Sequence, residues 1–190
     1  MINLSKTEWQ LLFWLLLLSF IPCIGGVFRL FEMAIGSGLL PENPRIQPSP
    51  LPVVIHILTA VTYCIIGAFQ FLPSVRIIYP KRHRLAGWLL TIAGITSVVT
   101  GLWMTHYYSF PTSLQGNLLY SVRIVVGLAM AAFILLGLAA VMRKRIMNHR
   151  DWMIRAYALG QGAGTQVIVS IPWFLIVGEP IGFARDVLMT

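Results

Sequence analysis

Val141–Gly164, VMRKRIMNHRDWMIRAYALGQGAG, runs a basic cluster with a His-Arg pair straight into an apolar, glycine-rich segment. Arg76–Gly94, RIIYPKRHRLAGWLLTIAG, repeats that order: basic residues, His83-Arg84, a Trp, then small and apolar residues. The two His-Arg pairs stand 66 positions apart, each after an apolar segment of helix length. The pattern predicts a duplicated unit of helix, basic loop and helix.

Composition sets the class. Of 190 residues 57% are hydrophobic and 11% charged, against about 25% charged in a soluble domain. The charges cluster between long uncharged runs, as in a polytopic helical membrane protein. The net charge of +8 sits in short loops, where the positive-inside bias places it, so it implies no nucleic-acid partner. Cys23 and Cys64 lie inside apolar segments and read as free, buried thiols.

Five spans follow: about Trp9–Phe28, Pro52–Leu72, Leu85–Thr105, Val122–Val141 and Met153–Val177. The first reads as an uncleaved span, because it exceeds a signal-peptide core and no A-x-A-like site follows it. Between the first two spans Pro41, Pro44, Pro48 and Pro50 mark an extended loop. Lys and Arg number four in Arg76–Arg84 and five in Arg143–Arg155, with none between His106 and Ser121. These counts put both basic loops and the N-terminus in the cytoplasm. The expected fold is therefore an all-α, integral-membrane five-helix bundle. Residues 1–50 supply the first helix and an outer Pro-rich loop, and residues 51–190 a four-helix domain of two parallel hairpins.

In that arrangement His83 and His149 are symmetry mates at the cytoplasmic end. Gly87 and Gly94 follow His83 on one helical face, and Gly160 follows His149. A flat macrocycle between helices wants an imidazole on each side of its iron and glycine where its edge meets backbone, so haem b is the cofactor these residues suggest. Arg84 and Arg150 would face its propionates or lipid headgroups. His56 and His106, near the outer level, form a candidate second pair of ligands, with a copper or zinc site including Met104 as an alternative. From His83 to His106 is 23 residues, about 34 Å at about 1.5 Å per residue, so the two sites would lie at opposite faces of the membrane. The glycines also suit plain helix packing in lipid.

IHILTAVTYCIIGAFQFLP, KRHRLAGW and NHRDWMIRAYAL together resemble the bacterial family of predicted multi-pass membrane proteins known as domain of unknown function 2306. The resemblance runs from about Pro52 to Glu179. His56, Gln70, His83, Arg84, Gly87, Trp88, His149, Arg150, Trp152, Met153, Arg155 and Tyr157 carry it. It implies a multi-pass protein of the bacterial plasma membrane and no particular activity.

Two readings of function follow. In one, histidines of the bundle bind b-type haem, or a quinone, for electron transfer by a membrane oxidoreductase or electron carrier. In the other, the chain is a non-enzymatic component that binds lipid or a small molecule, or an accessory subunit packed against a partner membrane protein. No nucleophile triad, P-loop or dinucleotide fingerprint is present in the sequence.

Overall fold

The structure, a computed structural model, describes residues 4–36, 38 and 43–190. Pro41, in the proline-rich loop, lies outside the described residues. The helices are α1 (Lys6–Ile35), α2 (Leu51–Gln70), α3 (Pro73–Ile78), α4 (Pro80–Tyr107), α5 (Asn117–Met142), α6 (Ile146–Gly160), α7 (Gly162–Val177) and α8 (Gly182–Leu188). Helices α1, α2, α4, α5 and the α6–α7 pair make five segments long and apolar enough to cross a membrane.

Local chemistry fixes the ends. Ser5 caps α1: its hydroxyl accepts from the Glu8 N–H at 3.2 Å, while the Glu8 carboxylate accepts from the Ser5 N–H at 2.9 Å. The same carboxylate accepts from the Ser74 N–H at 2.7 Å and the Ser74 hydroxyl at 2.8 Å, tying the start of α1 to α3. Pro73 and Pro80 each open a helix, a position where the missing N–H goes unneeded. Helix α4 thus begins before the basic run, and α6 begins at Ile146. The basic segments expected as loops are largely helical, and His83 and His149 sit in first helical turns.

Helix α2 packs on α4, α4 on α5, α5 on α6, and α6 returns to α2, closing a ring of four; α1 lies outside it against α2 and α7. The centre is filled by Tyr63, Leu90, Ala93, Val98, Met130, Ile134, Ala156 and Tyr157. Many large apolar residues face outward, among them Trp14, Phe20, Leu128 and Ile176. That inversion suits lipid rather than water, since acyl chains are as apolar as the side chains they meet.

The fifth span is not the single helix expected over Met153–Val177. It breaks at Gln161, between α6 and α7. Beyond α7 the chain turns back: the buried carboxylate of Asp186 in α8 accepts from the N–H groups of Gly116 at 2.8 Å and Leu119 at 3.2 Å. An acid from the last helix thereby satisfies donors at the start of α5, where no side chain of α5's own cap does so.

Candidate functional site

At the end carrying the basic segments, His83 opens α4 and His149 opens α6. His149 Nδ1 lies 2.9 Å from the Gly137 carbonyl oxygen of α5. A carbonyl can only accept, so Nδ1 carries a proton there, and Nε2 makes no hydrogen bond among the described residues. His83 differs: its Nδ1 is buried with no hydrogen-bond partner. A buried polar atom left unmatched is costly, and such atoms are rare in folded chains. His83, like His149, lies in the first turn of its helix, at the end of the bundle that carries the basic segments.

The glycines divide into two kinds. A Cβ on Gly87, one turn along α4 from His83, would meet nothing within 4 Å. Beside Gly94 the space already holds Tyr63 and Ile134, with a Cβ 2.8 Å from either, and beside Gly160 it holds Tyr63 and Met130. A macrocycle edge has no room at Gly94 or Gly160, and those two glycines are packing positions that admit the Tyr63 ring. Arg84 is exposed and Arg150 is exposed at the rim of a cleft of about 430 Å³ that also touches Glu8, Phe71 and Ser74.

His56 and His106 do not form a pair. His56 is held in the bundle: its Nδ1 donates to the Ser97 carbonyl at 2.9 Å and lies 3.2 Å from the Thr100 hydroxyl, with its ring over Gly101. His106 is exposed and its Nδ1 meets the Tyr120 hydroxyl at 2.9 Å. At about 100° per residue, His106 stands roughly 120–180° round α4 from the residues His56 touches. The expected outer ligand pair is therefore corrected, because two imidazoles on opposite sides of one helix cannot clasp one ligand. Among the described residues no three His, Cys, Asp or Glu groups converge on a metal position, which leaves the copper or zinc alternative without the ligand number such ions take.

Two clusters went unseen in the sequence. At the helix break, Gln161 is buried; its Oε1 accepts from the Ser19 hydroxyl at 3.0 Å, and its Nε2 has no partner. Tyr157 donates to the Cys64 carbonyl at 2.6 Å alongside. At the end away from the basic segments, Arg45 and Arg123 share the ring of Phe110, at 4.6 and 5.7 Å from its centroid. Partial burial, with Arg185 and Arg29 nearby, pulls the Arg45 guanidinium below its ordinary range. A lone Gln in an apolar run, or an Arg in a proline-rich loop, gives no sign of what it will meet. Along α2, His56 and Tyr63 turn into the bundle, whereas the Thr59 hydroxyl turns back onto the Ile55 carbonyl of its own helix.

A family model described as a predicted membrane protein (DUF2306) matches residues 53–190, from the second span to the last residue. No curated protein and no solved structure is significantly similar to the chain.

Proposed function

We propose that this chain, which belongs to the DUF2306 family of predicted membrane proteins, is a small redox component of the bacterial plasma membrane that holds one b-type haem between His83 and His149. The observation that carries the reading is the buried, unpartnered Nδ1 of His83, at the same end of the bundle as the His149 imidazole, whose Nδ1 is held by the Gly137 carbonyl. Open space at Gly87 on the same helix face adds room for a ring edge. The Gly137 carbonyl would orient His149 as backbone acceptors orient ligating histidines elsewhere. Arg84 and Arg150 would neutralise carboxylates at the aqueous rim. Bound haem supplies one-electron chemistry; the chain supplies the two imidazoles, the basic rim and an apolar surround.

The ring α2–α4–α5–α6 also supports a duplicated origin, since a twofold relation between hairpins would pair the α4–α5 contact with the α6–α2 contact. The nine Lys and Arg of the two basic segments favour a cytoplasmic location for this end.

Titrating the purified, detergent-solubilised protein with haemin is expected to give a Soret band that saturates at one haem per chain and shifts on dithionite. His83→Ala and His149→Ala should each lose the band while keeping the wild-type circular dichroism, and His106→Ala should keep it. A folded protein that leaves the spectrum of free haemin unchanged through the titration sinks the haem reading and favours a non-enzymatic lipid-binding or accessory role.

A further inference from the structure

We infer that the end of the bundle away from the basic segments carries a binding site for a phosphate group, built from Arg45 and Arg123 over Phe110, with Arg185 held on the neighbouring Leu114 carbonyl. Two guanidiniums lie over one phenyl ring, and Arg185 acts electrostatically on both. Their hydrogen bonds go to neutral oxygens: Arg45 Nε to Asn43 Oδ1 at 2.9 Å, Arg185 Nε to the Leu114 carbonyl at 3.2 Å, and Arg123 to Gln115 Oε1. None of the three makes an ion pair among the described residues. The one carboxylate that acts on Arg123, Asp186, is committed to the N–H groups of Gly116 and Leu119.

Arginines gathered in this way, partly withdrawn from water and with Asp186 committed elsewhere, repel one another unless an outside anion joins them. Cations at this end also run against the distribution that membrane insertion favours. A guanidinium offers paired N–H donors that match phosphate oxygens, and among the described residues the remaining donors of these three form no ion pair.

Arg45 also lines a cavity of about 400 Å³, with Ser49, Trp103, Tyr107 and Tyr108 on its other walls. The Tyr108 hydroxyl donates to the Ser49 carbonyl at 2.6 Å and fixes the proline-bearing segment over the end of α4. Aromatic walls beside a cationic rim suit an amphiphile whose phosphate meets the arginines while its apolar part lies along Trp103 and Tyr107. The phosphate can come from a lipid headgroup or from solution.

The test is thermal stability in a neutral detergent, with added dihexanoyl-phosphatidylglycerol, dihexanoyl-phosphatidylcholine or inorganic phosphate. Phosphatidylglycerol is expected to raise the melting temperature saturably, with phosphatidylcholine weaker; an equal response to inorganic phosphate would assign the site to a soluble phosphate. Arg45→Gln, on the loop, and Arg123→Gln should each weaken the apparent affinity at least tenfold, while Arg143→Gln in the basic segment should not. If neither additive stabilises the protein, or if folded Arg45→Gln responds as wild type does, the inference fails.

Discussion

Tyr157→Ala is expected to cost about 3 kcal/mol of stability, the low end of the range for deleting a buried ring because lipid offers no hydrophobic gain between helices. The Tyr157 ring presses on the place where Gly67 lacks a Cβ, one ring carbon lying 2.6 Å from that position. It packs against Phe71 with centroids 4.8 Å apart and against Tyr63 at 5.8 Å. Tyr63 in turn fills the gaps beside Gly94 and Gly160, so the two phenols join α2, α4 and α6 at one level. Removing Tyr157 opens a void in the middle of that joint, and neighbouring helices cannot close it without losing contacts elsewhere. Tyr157→Phe, which loses only the hydrogen bond to the Cys64 carbonyl, should cost about 1 kcal/mol. Unfolding of both variants in mixed micelles, followed by circular dichroism, separates the terms. Equal losses would show that the hydrogen bond, not the packing, holds the joint.

Gly164→Ala should loosen α1 from α7 and cost about 1–3 kcal/mol, the range for forcing a methyl into a filled contact. A Cβ there would collide with the Leu18 carbonyl oxygen, and a backbone atom cannot swing aside as a side chain can. The collision has a covalent origin. Pro22 lies four residues beyond Leu18 within α1 and has no N–H, so the Leu18 carbonyl lacks its helical donor. It faces α7 at the one residue type that lets another backbone come so near. Ser19 adds to the crossing through Gln161 Oε1 at 3.0 Å, sharing its one hydroxyl proton with the Leu15 carbonyl of its own helix at 2.9 Å. Gly162→Ala is the control: nothing lies within 4 Å of its Cβ position, and replacing a helical glycine should stabilise by up to about 1 kcal/mol. Comparable losses from the two substitutions would remove the crossing as the cause.

The number and order of the spans were legible because each is a long apolar run bounded by Pro, Gly or charge. Their lengths were less so. Charge density marks a loop, yet Lys81–Arg84 are helical because Pro80 starts the helix ahead of them and long basic side chains can extend from a helix end to headgroups. The break at Gln161 was hidden among residues that also fit a small-residue helix face. Its reason lies in Ser19, 142 positions earlier. Of the candidate site, the placement of His83 and His149 at one end followed from the repeat. That His56 and His106 face different ways depends on where α2 and α5 settle around α4.

From the sequence alone came the membrane class, the all-helical content and the five spans, because lipid obliges every peptide group to find its partner within its own segment and that demand is written in local hydropathy. Tertiary structure alone decided which glycines admit a tyrosine and which stay open, which acid anchors α5, and which histidine nitrogen goes unpartnered. Those outcomes depend on side chains brought together from distant parts of the chain, and no local pattern encodes the angle at which two helices cross.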